Sequence, residues 1–245
     1  YARGVNPLYK GLVPFAQMLY CNYSVVYNNN LRKTVTGWGI NNHKELFETA
    51  SWGYSRTTQY TSRSAEMDDT IFDLDIVTTQ SQSNANTQNS RPQAWAKNII
   101  AVGGFTHNNT ANPLDDTSSG ASYGYAADGR MKPDLCAYYD SIYTTGYSST
   151  AYTSSFGGTS GATPMVCGHL GLSLELYTDG LFGHPMKPGG WKVRFENRPH
   201  FTTSKALLIA TAAPYTISPA IHTRYTQGWG FPNLQSMYDN RNVMY

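Results

Sequence analysis

The segment from Gly157 to Cys167 has the residue types and the spacing that could activate a nucleophile, and it reads GGTSGATPMVC. A glycine pair allows a tight turn, and the run that follows suits a helix with Pro164 in its first turn. Ser160 would then lie at the helix N-terminus, where unpaired backbone N–H groups and the helix dipole stabilise negative charge on oxygen. The chemistry served would be nucleophilic attack on a carbonyl carbon. An isolated serine before a helix is more often only a cap, so the spacing alone leaves both interpretations open.

Several further segments, in order along the chain, resemble motifs of the subtilisin-like serine peptidases, the subtilases. Residues 158–164 match the family's nucleophile motif G-T-S-x-A-x-P at its five fixed positions. Residues 128–134 match its D-G-R-x-K-P-D stretch, and residues 98–104 resemble the core strand that precedes it. Residues 11–16 resemble the G-x-A-P-x-A segment, and residues 227–230 resemble the closing G-x-G turn. The likeness extends over essentially the whole chain and is greatest to the large bacterial alkaline subtilases.

The resemblance implies a set of roles for individual residues. Ser160 would be the nucleophile, and Asn84 would hold the oxyanion together with the Ser160 backbone N–H. Ser51, Trp52 and Gly53 resemble the strand that lines the substrate cleft, although a tryptophan can equally be a core residue. The chain departs from the family at residue 83, where serine replaces the usual glycine, so Asn86 and Asn89 remain alternatives to Asn84. It also departs at residues 136–140, where CAYYD replaces the usual A-P-G.

The aspartate and histidine that the resemblance requires are missing, since the sequence contains no D-[ST]-G segment in a strand-end context and no H-G-T segment. His169 follows Ser160 by nine residues on the same predicted helix, which places it ~13 Å away and excludes it as the base. The other histidines are interpreted as surface or loop-anchoring residues: His43, His107, His184, His200 and His222. We therefore expect the aspartate and histidine upstream of Tyr1 or on a partner chain, with this chain the C-terminal part of the catalytic domain.

Short apolar runs alternate with helical stretches, which predicts an α/β fold with a largely parallel sheet. The resemblance implies the three-layer subtilisin-like version of that fold, in one partial domain over residues 1–245. Predicted strands cover residues 16–20, 46–51, 74–79, 98–103 and 135–138. Predicted helices cover residues 62–73, capped by Ser62 or Ser64, and residues 204–213, capped by Ser204. Residues 108–130 and 180–198 are predicted loops.

Composition narrows the class of protein further. Only 14% of residues are charged, and a net charge of +2 without a run of basic residues gives no basic patch for nucleic acid. The longest apolar stretches, around residues 98–105 and 205–213, are far shorter than the ~18 residues that a membrane span requires. Three cysteines without a CxxC pair exclude a zinc site and allow at most one disulfide. The Tyr- and Asn-rich composition favours a location outside the cytoplasm. The implied chemistry needs no cofactor, but a structural calcium could bind among loop acids, which are Asp115, Asp116, Asp128 and Asp140.

Three hypotheses follow for the function. The first is a subtilisin-like endopeptidase that forms an acyl-enzyme on Ser160 and takes a peptide or protein substrate. The second is a subtilase-fold module without catalysis, serving binding or structure. An esterase is the weakest, because residues 158–162 lack the final glycine of the G-x-S-x-G motif.

Overall fold

The computed structural model describes residues 7–29, 31–148, 151–215 and 223–244. Its α-helices are α1 (Tyr23–Asn29), α2 (Arg32–His43), α3 (Ser62–Leu74), α4 (Thr159–Thr178), α5 (Phe201–Ala210), α6 (Arg224–Gln227) and α7 (Leu234–Asp239). Its strands are β1 (Phe47–Ala50), β2 (Val77–Ser81), β3 (Ile100–Thr106), β4 (Thr117–Ser118), β5 (Gly124–Tyr125), β6 (Met131–Lys132), β7 (Leu135–Tyr138), β8 (Ile142–Thr145) and β9 (Tyr152–Phe156). Short 3-10 helices cover Pro7–Tyr9, Pro92–Trp95, Pro113–Asp115 and Gly190–Val193.

The central sheet is mostly parallel. Strands β1, β2 and β3 pair in that order in parallel, β7 also pairs with β3 in parallel, and only the short β4 runs antiparallel. Ile100, Ala101 and Val102 of β3 are all fully buried. Because consecutive strand residues point to opposite faces, both faces of the sheet are covered, as the continuous apolar run predicts. The predicted α/β fold with a largely parallel sheet is confirmed.

Helix α4 covers the sheet with an apolar stripe. Ala162, Val166, Leu170 and Leu174 recur every four residues and are at most 3% exposed, so they form one face packed into the core. At Gly168 the segment before α1 crosses this helix closely, since a Cβ there would lie 2.8 Å from the Leu12 side chain. The packing of α4 fixes where its N-terminus meets the ends of the strands.

Several predicted elements differ from the structure. Residues 16–20 form no strand: no described strand pairs with them, and a strand requires a ladder partner. The α3 cap is Thr61, not Ser62 or Ser64, although Ser64 completes the capping box by accepting from the Thr61 N–H. Helix α5 starts at Phe201, and Ser204 is an interior residue bonded to the His200 carbonyl. The predicted loops 108–130 and 180–198 contain the short elements β4, β5 and two 3-10 helices.

The segment 128–134 has a structural role. The buried Lys132 ammonium lies 2.5 Å from Asp134 Oδ2, and Lys205 lies 3.2 Å from Asp134 Oδ1. Burial lowers the pKa of Lys132 to about 8 despite this carboxylate. The closing turn packs on the same residue, because the Trp229 N–H donates to the Asp134 carbonyl. These contacts tie β7 to α5 and to the closing turn.

All three cysteines are free thiols, with Cys21 exposed and Cys136 and Cys167 buried. None of the helices in the described ranges is long and apolar enough to cross a membrane.

Candidate active site

Ser160 occupies the first turn of α4, directly after a glycine turn. Gly158 adopts φ +79°, a conformation that favours glycine, and precedes the helix as its N-cap. The Thr159 N–H donates to Asn84 and the Gly161 N–H donates to the Gly158 carbonyl. The Ser160 N–H between them makes no hydrogen bond to the described residues. A free first-turn donor therefore lies beside the Ser160 hydroxyl.

Asn84 is held against this turn by its side-chain oxygen. Asn84 Oδ1 accepts hydrogen bonds from the Thr159 backbone N–H and from Thr159 Oγ1, both at 2.9 Å. A backbone N–H can only donate, so the amide oxygen must face Thr159, and Asn84 Nδ2 keeps its two N–H groups for another acceptor. Of the three candidate asparagines, Asn84 is the one bonded to the turn that carries Ser160. Its proposed role as an oxyanion donor stays a prediction.

Ser83 explains how the chain tolerates the loss of the usual glycine before Asn84. Its φ is +96°, which is strained for a residue with a side chain. Three contacts hold it: its N–H donates to Thr159 Oγ1, its carbonyl accepts from the Ser122 N–H, and its hydroxyl accepts from Arg56 Nε. The serine hydroxyl thus gives an arginine a fixed anchor beside Asn84, which a glycine would not provide.

The segment Ser51–Gly53 continues β1 toward Ser160. Ser51 Oγ donates to the Ser160 carbonyl at 3.1 Å. The Trp52 carbonyl accepts from Gln80 Nε2, and the Tyr54 N–H donates to Gln93 Oε1, so these two residues turn their backbone groups inward. Gly53 between them makes no backbone hydrogen bond to the described residues. Since backbone groups alternate in direction along an extended segment, Gly53 presents a donor and an acceptor to the opposite side.

Trp52 is half-buried and lies outside the core cluster, with aromatic and cationic neighbours. Its ring centroid lies 5.9 Å from that of Tyr23 and 6.4 Å from that of Tyr27, both on α1, and the Arg32 guanidinium lies over the ring at 5.6 Å. Tyr27 also stacks on Tyr54 at 4.3 Å. Helix α1 therefore covers one side of Trp52, and the cleft assignment of this residue stays a prediction.

None of the described histidines hydrogen-bonds to Ser160. His107 Nδ1 lies 2.8 Å from Asp140 Oδ1, and its ring stacks on Tyr138. His169 Nδ1 lies 2.8 Å from the Met165 carbonyl, one turn earlier on α4. The remaining described histidines have other neighbours. His200 pairs with Asp75, the His184 ring stacks on Tyr177, and the His43 ring lies against Trp38. His222 lies outside the described residues.

The electrostatics of these histidines do not suggest a base for Ser160. Burial lowers the pKa of His169 and so disfavours its protonated form. Burial opposes ionisation of Asp140, but hydrogen bonds from the backbone and ring of His107 hold the pKa of Asp140 below its usual value. The His107–Asp140 pair anchors the ends of β3 and β7.

The loop acids considered for calcium are bonded to other side chains or buried. Asp128 pairs with Arg130, Asp140 pairs with His107, and Asp115 accepts from Thr110. Asp116 is buried, and burial raises its pKa. Within the described ranges, no group of three or more acidic, histidine or cysteine side chains is arranged to hold a metal ion.

Two residues of the site were missed by the sequence analysis. Thr159 was included only as part of a motif, although its hydroxyl and N–H fix both Asn84 and Ser83. Arg56 gave no local signal at all, because its contacts with Ser83 and Asn84 form only when the end of β1 folds beside the end of β2.

Comparison with known proteins gives matches at the level of family and of fold. A profile of the subtilase family, Peptidase_S8, matches residues 6–230. The prenylagaramide maturation protease PagA superposes with a TM-score of 0.59 at 16% identity, over 93% of this chain and 70% of that one. The PatG macrocyclase in complex with peptide superposes with a TM-score of 0.66 at 12% identity, over 95% of this chain and 63% of that one. An S41 psychrophilic protease gives 0.58 at 14% identity, over 83% of this chain and 62% of that one. No curated protein matches the sequence.

Proposed function

The chain belongs to the subtilase family of serine peptidases, and from this we propose that it carries the nucleophile, oxyanion site and substrate cleft of a subtilisin-type endopeptidase. The observation that carries the proposal is the contact between Asn84 and the turn of Ser160. Asn84 Oδ1 is fixed on Thr159, so Asn84 Nδ2, which lies against Gly158, and the Ser160 N–H are both left as donors. Two such donors are what a tetrahedral oxyanion requires.

The reaction proposed is acyl transfer in two steps. Ser160 Oγ attacks the peptide carbonyl carbon while a histidine takes its proton, and Asn84 and the Ser160 N–H stabilise the oxyanion that forms. The C–N bond breaks, the histidine returns the proton to the leaving amine, and an acyl-enzyme remains on Ser160. Water then attacks the acyl-enzyme with the same proton relay, which releases the acid and restores the serine. This chemistry uses no cofactor.

We propose that the histidine and aspartate of the triad lie in a segment upstream of Tyr1 or on a partner chain. Three of the described histidines, His107, His169 and His200, are bonded to other groups, and the chain spans 63% of the PatG macrocyclase chain on which it superposes. An exposed apolar stretch supports this, since Phe15, Met18 and Tyr20 are 84%, 66% and 80% exposed.

The substrate is proposed to bind in an extended conformation along Ser51–Gly53. Gly53 presents its backbone N–H and carbonyl away from the inward contacts of Trp52 and Tyr54, which supports β-type pairing with a peptide. Trp52 would form an apolar wall of the same cleft. The Tyr- and Asn-rich composition of the chain supports a location outside the cytoplasm.

The test is labelling of the full-length protein with a fluorophosphonate probe, followed by peptide mapping. We expect Ser160 to be the labelled serine, and Ser160→Ala to abolish both labelling and peptide hydrolysis. Ser155→Ala is the matched control, because Ser155 is an exposed serine of β9 that is bonded only locally to Thr153. Labelling of another serine would reject the assignment. A folded full-length protein that is neither labelled nor active would instead support the non-catalytic alternative.

A further inference from the structure

Two arginines, Arg56 and Arg91, lie opposite each other between the proposed cleft segment Ser51–Gly53 and the loop that carries Asn84. The residues Thr57 and Ser90 form an antiparallel bridge through mutual backbone hydrogen bonds of 2.8 and 3.0 Å. This bridge places Arg56 opposite Arg91, because the residue before one partner faces the residue after the other. Side chains that are opposite on antiparallel segments share a face and have Cβ atoms about 5 Å apart.

The Arg56 side chain extends from the end of the cleft segment to the loop that carries Asn84. Its Nε donates to Ser83 Oγ at 2.7 Å, and one terminal nitrogen lies 3.4 Å from the Asn84 carbonyl. These two contacts use part of the guanidinium and leave its other terminal nitrogen without a bond to the described residues. The residue itself is exposed. A positive charge is thus held in place one residue from the proposed oxyanion donor.

Arg91 borders the same gap from the other side. Its Nη1 donates to the Tyr54 carbonyl at 2.8 Å, and its side chain packs on the backbone of Gly53, where a Cβ would lie 2.8 Å from Arg91 Cβ. Burial lowers the pKa of Arg91, and the nearby charge of Arg56 lowers it further. The two positive charges therefore repel each other directly, because no described carboxylate pairs with either of them.

Like charges directly opposite each other on paired segments destabilise the pair. Within the described ranges no carboxylate lies within ion-pair distance of Arg56 or Arg91, whereas the neighbouring Arg63 is paired with Glu66 at 2.8 Å. The free chain thus keeps two unneutralised guanidinium groups together at the site. An anion placed between them would form charge-assisted hydrogen bonds with both and remove the repulsion.

We propose that Arg56 and Arg91 form the side-chain subsite for the substrate residue whose carbonyl Ser160 attacks, and that this subsite selects glutamate or aspartate. The inference rests on the proposed function, which places the scissile carbonyl at Asn84 and the substrate backbone along Ser51–Gly53. The acyl residue then lies between these two segments, and its side chain faces the gap that Arg56 bridges. Arg56 and Arg91 are specificity residues that contact the substrate side chain.

The experiment measures binding and needs no turnover. Fluorescent N-acetyl tetrapeptide amides that differ only in a C-terminal Glu, Gln or Lys are titrated into the full-length Ser160→Ala protein. We expect the Glu peptide to bind about tenfold more tightly than the Gln peptide, the change expected for one charge-assisted hydrogen bond, and the Lys peptide to bind most weakly. Added salt should reduce the preference for Glu.

Substitutions then assign the preference to the two arginines. On the same background, Arg56→Gln and Arg91→Gln should each bring the Glu-to-Gln ratio toward one, and Arg56→Lys should retain part of it. Arg194→Gln is the matched control, because Arg194 pairs with Glu175 and Asp179 at the far end of α4. Melting temperatures of all variants separate lost binding from lost folding.

Each outcome distinguishes this inference from the proposed function. Equal affinities for the Glu and Gln peptides, or a ratio that neither arginine substitution changes, would overturn the inference. Tighter binding of a Gln peptide with a free C-terminal carboxylate than of the Glu amide would also overturn it, since the anion recognised would then be the chain terminus. Fluorophosphonate labelling of Ser160 without a Glu preference rejects the inference alone. A Glu preference without labelling supports the anion subsite and rejects the peptidase.

Discussion

Thr159 is the residue whose substitution tests most directly whether Asn84 is positioned for catalysis. The side chain is 1% exposed, and its hydroxyl both donates to Asn84 Oδ1 and accepts from the Ser83 N–H. Thr159→Val keeps the shape of the side chain and removes both bonds. The Thr159 backbone N–H still holds Asn84 Oδ1, so the amide loses one of its two anchors.

The magnitude follows from these contacts. A hydrogen bond of this kind contributes about 0.5–1.5 kcal/mol, so kcat should fall about 2- to 13-fold. Asn84→Ala removes the donor itself, and kcat should then fall about 10²- to 10³-fold. KM should change little in both variants, because the charge that the amide stabilises exists only in the transition state. Leaving the buried Ser83 N–H unpaired costs about 1–3 kcal/mol, which lowers Tm by about 2–12 °C.

The assay is kcat and KM of the full-length protein on a peptide substrate, with Tm measured on the same samples. Thr159→Ser should restore both values because it retains the hydroxyl. Thr163→Val is the matched control: Thr163 is equally buried and its hydroxyl bonds only to the Thr159 carbonyl, so it should lower Tm and spare kcat. If Thr159→Val and Thr163→Val had the same effect on kcat, or if Asn84→Ala kept normal turnover, the positioning argument would be refuted.

Two further predictions concern the cleft and the response to pH. Trp52→Ala should change the subsite preference across a peptide library with a small change in Tm, because the ring lies outside the core; a large fall in Tm with an unchanged preference would contradict this. Burial, reinforced by Glu48, raises the pKa of Glu45 from 4.5 to about 8. Between pH 4.5 and about 8, Glu45 is therefore protonated in the folded chain and ionised in the unfolded chain. The free energy of unfolding that this group contributes falls as pH rises through this range. Glu45→Gln should flatten that fall in Tm, whereas the exposed Glu196→Gln should not.

The sequence predicted the elements whose signals are local. The continuous apolar run at Ile100–Val102 predicts a strand buried on both faces, and the glycine turn before Ser160 predicts a helix N-terminus, because each depends on residues next to one another. The α3 cap was assigned to Ser62 or Ser64 instead of Thr61 because all three residues offer the same hydroxyl chemistry. Residues 16–20 have the composition of a strand, but pairing also depends on a neighbour, which composition does not specify.

Residues of the site could be predicted only where a family motif identified them, because the sequence does not show which distant residues come together. The contact between Asn84 and Thr159 joins residues 75 positions apart, and the bond between Ser83 and Arg56 joins residues 27 positions apart. Both exist because parallel strands bring their carboxyl ends to one edge, where α4 begins. Ser83 was recognised as a departure from the family, but its purpose as an anchor for Arg56 needed the fold.

Strand β2 is buried but carries polar side chains, because it forms hydrogen bonds with neighbouring segments of the candidate site. Gln80 Nε2 holds the Trp52 carbonyl, and the Gln82 N–H donates to β3, which continues the ladder to the loop of Asn84. The strand and the residue after it lose stability by this, since Thr78 Oγ1, Gln80 Oε1 and both side-chain amide atoms of Gln82 are buried without a partner among the described residues. An apolar strand would be more stable but could not hold the neighbouring cleft strand by a side-chain amide. The hydrogen bonds that join β1, β2 and α4 involve no histidine. We therefore expect that mutations can change substrate recognition and oxyanion stabilisation without changing proton transfer.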